Sequence, residues 1–297
     1  MSNITKPMKA CDVELSKLVF PLYLSFKRDG IRGLKVDDKF LSRTFKPIPN
    51  KYIRNFIEQN LPNEIDGELL CGATFNDTQS AVMTIEGEPN FTYHLFDYVK
   101  YDCNTVFNNR YVDLLVMHSK LPEIVKNRVF VVRQYLVNNL EEVLVLEKEA
   151  IEQGFEGIVL RSITGIYKKG RSTVKEGYLL RYKRFYDAEA EIVGFIELMH
   201  NANEAEKDAF GRTKRSTKKA GLVPAGILGE FRLKDTQTGA IFGCGTGLLE
   251  DQRKRIWANQ SDYMGKIVTY TYQQAGKKYL PRFPVFKGFR HKDDLGE

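Results

Sequence analysis

Lys27 is followed by Asp29, Gly30 and Arg32, so a Lys-x-Asp-Gly-x-Arg pattern places one amine at the end of an apolar run. The chemistry open to such an amine is nucleophilic attack, but only in its unprotonated form. A lysine of ordinary pKa, near 10.4, is unprotonated in about one molecule in a thousand near pH 7.5. Lowering that pKa by about three units takes on the order of 4 kcal/mol, which burial and nearby positive charge can supply. Arg28, Arg32 and Lys35 follow at once. Taken alone, the pattern is also that of a solvated basic turn.

Carboxylates and further cations recur downstream. Glu68 falls within Ile65-Asp66-Gly67-Glu68-Leu69-Leu70, and Glu156 opens the largely apolar Phe155-Glu156-Gly157-Ile158-Val159-Leu160-Arg161. An acid among apolar residues costs energy without a partner, so a structural salt bridge is the plain alternative to a functional role for Glu68. In Leu179-Leu180-Arg181-Tyr182-Lys183-Arg184-Phe185, Arg181 and Lys183 would share one face of a strand and enter one pocket. Ser42-Arg43 ends a hairpin, and Tyr167 to Thr173 forms a basic, glycine-containing loop around Arg171; by itself each is an ordinary surface feature. Cys11, Cys71, Cys103 and Cys244 make no Cys-x-x-Cys pair, and the four histidines show no metal-ligand spacing. A zinc site, a disulfide framework and a cysteine or serine nucleophile are therefore not expected.

The elements that must position these groups are legible from periodicity. Leu22, Leu24 and Phe26 alternate with Tyr23, Ser25 and Lys27, which predicts a strand ending at Lys27 and a turn at Asp29-Gly30. Strands are expected over 31–36 and 40–43, joined by Asp37-Asp38-Lys39, then over 65–70, 91–99, 155–161 and 179–185. Helices are expected over 50–59, 105–120 and 139–153, with Asn50 and Asn139 as caps and Gly154 as a stop. Tyr186 to Glu189 reads as a hinge. Beyond it, short strands at 191–198, 226–234, 240–245, 266–272 and 285–289 and one helix over 248–258 suit an OB-type barrel.

The chain of 297 residues has 42% hydrophobic and 28% charged residues, an ordinary globular composition. Its net charge of +7 and pI near 9.0 favour a polyanionic partner. Residues 207–221 hold six cations against Asp208, +5 in a stretch of 15, as either a solvated loop or a strap around duplex DNA. No apolar run approaches the ~20 residues that span a bilayer, and the first residues lack an apolar signal core. A cytoplasmic or nuclear protein without a membrane partner is expected.

In order along the chain, these segments resemble the motifs of the covalent nucleotidyltransferases, the superfamily of ATP-dependent DNA ligases, RNA ligases and mRNA capping enzymes. Over nearly the whole chain, down to the basic insertion and the Arg-Phe-Pro-Val-Phe tail, the likeness is to the ATP-dependent DNA ligases, and the small size suggests a viral or phage member. The resemblance implies an α+β fold. An adenylation (nucleotidyltransferase) domain of antiparallel sheets and helices, residues 1–187, would precede a C-terminal OB-fold barrel, 188–297, with a DNA-clamping latch at about 201–223.

It also implies roles. Lys27 would attack the α-phosphate of ATP and carry AMP, with Mg²⁺, or Mn²⁺ in its place, held by Glu68 and Glu156. Glu68 would otherwise reach the ribose, and Phe96 would stack on the base. Arg181, standing where the family has a lysine, and Lys183 would grip the α-phosphate. Asp29 and Arg32 would lie near the ends of the break, with Arg32 also at the nucleotide. Arg43 and Arg171 would hold DNA phosphates, joined by Lys214, Arg215, Lys218 and Lys219 of the latch. Arg290 and Lys292 would close over pyrophosphate as the barrel moves. The implied partner is nicked duplex DNA, and the chain is expected to act as a monomer. An RNA ligase or a GTP-using capping enzyme would share the lysine chemistry. A non-catalytic nucleic-acid-binding module would not need Lys27 together with Glu68, Glu156 and Lys183.

Overall fold

Period-2 alternation in the sequence becomes three five-stranded sheets in the computed structural model, which describes residues 3–207, 213–216, 218–273 and 280–290. The chain divides into two units, Met1–Lys183 and Arg184–Glu297.

The first unit contains strands β1 (Cys11–Asp12), β2 (Leu22–Lys27), β3 (Ile31–Val36), β4 (Lys39–Ser42), β5 (Ile65–Cys71), β6 (Phe91–Tyr98), β7 (Val129–Val131), β8 (Tyr135–Val137), β9 (Gly157–Ser162) and β10 (Leu180–Tyr182). Its helices are α1 (Lys51–Asn60), α2 (Phe75–Met83), α3 (Phe107–Ser119), α4 (Glu123–Lys126) and α5 (Leu140–Glu152). One sheet has the order β1-β10-β9-β2-β8 and the other β4-β3-β5-β6-β7. Each sheet backs onto its own apolar core. Leu24, Ile158 and Leu160 are buried with Val143 and Ala150 of α5, while Leu69, Tyr93 and Leu95 are buried with Ile53 and Ile57 of α1 and Leu114 of α3. A third cluster, including Met8, Leu34, Val99 and Leu179, draws on both sheets.

Local chemistry sets the boundaries. Asn50 accepts from the backbone N–H of Ile53 and Asn139 from that of Glu142, so both asparagines cap the helices expected of them. Asp37 and Asp38 have φ of 48° and 60°, the double positive-φ geometry of a two-residue hairpin turn, and this turn registers β4 on β3.

The second unit contains β11 (Tyr186–Asn201), β12 (Ala205–Lys207), β13 (Thr213–Arg215), β14 (Leu222–Asp235), β15 (Ile241–Cys244), α6 (Glu250–Ala258), β16 (Ile267–Gln273) and β17 (Arg282–Phe289). The sheet order is β15-β14-β11-β16-β17, and a bridge between Thr246 and Val285 brings its two ends together, as in a partly open OB barrel. Phe231, Tyr270 and Phe286 fill the interior, and Ile256 of α6 is buried with them.

The expected hinge at 186–189 is instead the start of β11. Ala188 and Ala190 face the core, and Tyr186 pairs with Tyr272 at 5.9 Å between rings. The outward Asp187 and Glu189 pair with Lys287 and Arg290. The basic insertion lies between β11 and β14, where β12 and β13 form a two-stranded hairpin.

Candidate active site

The two sheets of the first unit face each other across a cavity of about 490 Å³, within the range of small-molecule sites. Lys27 projects into it from the end of β2, and its side chain is 22% exposed. Its Nζ donates to Oε2 of Glu156, and Lys183 Nζ donates to Oε1 of the same carboxylate. One acid thus joins the two amines. The backbone aims it, because the Glu156 N–H donates to the Lys27 carbonyl at 3.0 Å and Gly157 pairs with Lys27 across the sheet. Only glycine fits at that pairing: φ at Gly157 is 148°, and a Cβ there would lie 2.4 Å from the Tyr182 carbonyl oxygen. Burial alone would raise Glu156, but the charges of Lys27 and Lys183 outweigh it and hold the carboxyl below its ordinary range. Burial and the charge of Lys27 push Lys183 down despite Glu156.

The opposite wall comes from the second sheet. Glu68 on β5 faces this cavity, and burial pushes its carboxyl up to about 7 against the opposing charges of Lys27 and Arg32. Among the described residues the Glu68 carboxyl accepts no hydrogen bond. Gly30 lets the turn after Lys27 pass close to β5, since a Cβ there would meet the Leu69 carbonyl oxygen at 2.2 Å. Arg32 grips Asp66 with two donors, one at 2.8 Å, and gives a third to the Met8 carbonyl at 2.5 Å. Tyr167 completes this cluster by donating to Asp66 at 2.8 Å.

Phe96 presents its ring to the cavity between two guanidiniums, Arg32 at 5.4 Å and Arg161 at 5.5 Å. Its neighbour Asp97 points the other way and is fully buried, with Arg110 at 2.7 Å and Arg161 at 2.7 Å. Those two arginines overcome the burial that would otherwise raise Asp97 and keep it ionised. Neither Asp97 nor Arg161 was expected at the site; a charge within or at the edge of an apolar strand was the available signal.

The remaining expected residues fall into three groups. Arg43, Arg171 and Arg181 line the cavity. Arg171 donates to the Ala10 carbonyl at 2.7 Å, and Arg181 makes a two-point pair with Asp12 at 2.6 and 2.9 Å. That hydrogen-bonded pair lowers Asp12 and raises Arg181, so Arg181 and Lys183 are held by different carboxylates. Strand β10 ends at Tyr182, one residue before Lys183, so the expected strand over 179–185 is shorter than its alternation suggests. Asp29 sits in the turn after β2 and is not part of the cavity wall. In the second unit Arg290 pairs with Glu189, while Arg215, Lys218 and Lys219 are exposed on the insertion. Lys214 lies on β13, with its side chain outside what is described, and Lys292 lies outside the described residues.

An amine, a second cation and two carboxylates around one cavity, with an aromatic ring at its side, can bind a nucleotide and displace at its phosphorus. A family model of the ATP dependent DNA ligase domain matches residues 3–179, and one of the DNA ligase OB-like domain matches residues 223–290. The chain is similar to Chlorella virus DNA ligase-adenylate, 38% identical over 97% of this chain and 99% of that one, with a TM-score of 0.58. It shares its fold with a Lig E DNA ligase, 22% identical over 97% of this chain and 100% of that one, with a TM-score of 0.73. The DNA ligase of Enterobacteria phage T4 is 30% identical over 155 residues, which is 52% of this chain and 28% of that relative's length.

Proposed function

Because the chain belongs to the ATP-dependent DNA ligase family, we propose that it seals breaks with a 3′-hydroxyl and a 5′-phosphate in duplex DNA, using ATP. The observation that carries this reading is the shared Glu156: the amine expected to attack and the cation expected to offset phosphate charge meet on one carboxylate.

Three in-line displacements follow. The Lys27 amine attacks the α-phosphorus of ATP, a P–N bond forms, the P–O bond to pyrophosphate breaks, and Glu156 is placed to take the proton the amine sheds. The adenylate then passes to the 5′-phosphate at the break, freeing Lys27. Finally the 3′-hydroxyl attacks that phosphate and AMP leaves. Each step is chiefly a matter of positioning and of offsetting charge, for which Lys183 is the nearest group, with Arg181 beside it once drawn from Asp12. Phe96 would stack on the base and Glu68 would accept from the ribose.

The donor set also fits a divalent ion. Glu68 lines the cavity and Glu156 holds the Lys27 amine that projects into it, and the half-buried Glu68 carboxyl has no hydrogen-bonding partner among the described residues. Magnesium takes oxygen ligands and needs only one or two carboxylates beside phosphate oxygens; manganese meets the same terms. When bound, it would offset charge on the transferring phosphate.

For the rest of the chain, the adenylation domain expected over 1–187 would end at Lys183, where the first unit ends, and the remainder would be the OB domain, acting as a monomer. Arg43, Arg171, Lys214, Arg215, Lys218 and Lys219 would hold phosphates of nicked duplex DNA. Asp29 and Arg32 would lie near the break, with Arg32 acting from its clasp on Asp66. Arg290, released from Glu189, would meet pyrophosphate with Lys292.

The test is sealing of a labelled, 5′-phosphorylated nick with ATP or GTP, in DNA or RNA. Joined DNA with ATP and magnesium is the expected result. Label transfer from GTP alone, or joining of RNA alone, would move the chain to the capping enzymes or RNA ligases.

A further inference from the structure

The cavity cations are almost all spoken for. Lys27 is held by Glu156, Arg32 by Asp66, Arg161 by Asp97, Arg181 by Asp12 and Arg171 by a carbonyl, while Lys9 and Arg43 are exposed to solvent. Arg28, one residue past the nucleophile, is different. It is half-buried and lines the same cavity, yet among the described residues its side chain has no carboxylate partner and no hydrogen bond. Its Nε is buried without a partner, and its guanidinium rests on the Phe155 ring at 5.3 Å.

A second orphaned atom lies on the facing sheet. His94 of β6 pairs with Glu68 in register, stacks on Phe130 at 5.3 Å and engages Thr92 Oγ1 through Nε2 at 2.9 Å, while its Nδ1 is buried and unpartnered. An imidazole is neutral or cationic, so His94 supplies Arg28 with no negative charge.

A guanidinium has five donors in a planar fork that suits tetrahedral oxyanions, and stacking on a ring leaves that fork free. From the orphaned Nε, the cavity lining and the absence of an acid, we propose that Arg28 binds a phosphate of the substrate beside the one undergoing reaction. The proposal rests on the ligase reading, which supplies two sources of that group: the β- and γ-phosphates of ATP, or a phosphodiester of the DNA strand at the break.

The experiment measures Arg28→Ala, Arg28→Lys and Arg28→Met in two arms. One follows single-turnover lysyl-AMP formation against ATP concentration. The other follows sealing of a nick whose 5′-phosphate already carries AMP, without ATP. Arg28→Ala is expected to slow one arm by about tenfold or more, the size of one charge-assisted contact, with the other arm within about twofold. Arg28→Lys should recover part of the loss, and Arg28→Met, which keeps the packing on Phe155, should not. A loss in the first arm assigns ATP and a loss in the second assigns the DNA strand, whereas equal losses in both at an unchanged melting midpoint would overturn the proposal, because the phosphate common to both arms, that of AMP, is the reacting one in the first. Arg28→Met as active as wild type in both arms would overturn the proposal, as would losses that follow only a falling melting midpoint. Failure of the wild type to form lysyl-AMP would instead overturn the ligase reading.

Discussion

His94 shows how the packing of one side chain fixes its chemistry. Burial, joined by the charge of Arg28, pushes its imidazole down to about 4. In the unfolded chain the ring takes a proton near 6.5, so above that pH it is neutral in both states and adds no pH dependence. Between 6.5 and 4 only the unfolded chain gains the proton, and stability falls as pH falls. Wild type should therefore lose on the order of 2 kcal/mol more than His94→Gln between pH 7 and 4.5. Urea unfolding at the two pH values checks this, and equal losses would contradict it. Nothing in the sequence distinguished His94 from the other histidines, because its environment comes from Phe130 and Arg28, both distant in the chain. Lys27, Glu68 and Glu156 were legible because each departs from a local apolar pattern. The clasp of Asp12 on Arg181 was not, since those residues meet only through the parallel pairing of β1 with β10.

At the scale of elements, one carboxylate ties three together. Strand β6 turns Phe96 toward the cavity and Asp97 into the interior, where Asp97 receives Arg110 from α3 and Arg161 from β9. Removing it leaves two buried guanidiniums facing each other. Asp97→Ala is expected to cost roughly 3–5 kcal/mol, and Asp97→Asn less because the amide oxygen still accepts. Thermal or urea unfolding measures both; a cost below about 1 kcal/mol for the alanine variant would show that the network does not hold these elements. Such a joint is invisible to periodicity, which reports which face a residue is on and not what it meets 64 positions later. The reading of 186–189 as a hinge failed for a related reason: small Ala188 and Ala190 mark the inward face of β11 too weakly to stand out between acidic neighbours.

For the whole molecule, the order of elements was largely legible. A first unit of two sheets and a five-stranded barrel follow the alternation in the sequence, and the helix expected over 248–258 is α6, which packs on the barrel through Ile256. The charge distribution carries its own prediction. If Lys214, Arg215, Lys218 and Lys219 each contact a phosphate, replacing all four with alanine should flatten the dependence of log affinity for nicked duplex on log salt by about four. An unchanged slope, read by titration at several salt concentrations, would leave the insertion a solvated loop.

All of this depends on a covalent bond between one amine and one nucleotide. The direct measurement is peptide-level mass spectrometry of the protein after incubation with ATP and magnesium, with and without 5′-phosphorylated nicked DNA. The expected result is one AMP on the peptide containing Lys27, lost when the DNA is added and absent in Lys27→Ala. AMP on another residue, or a Lys27→Ala protein that still seals nicks, would contradict the account.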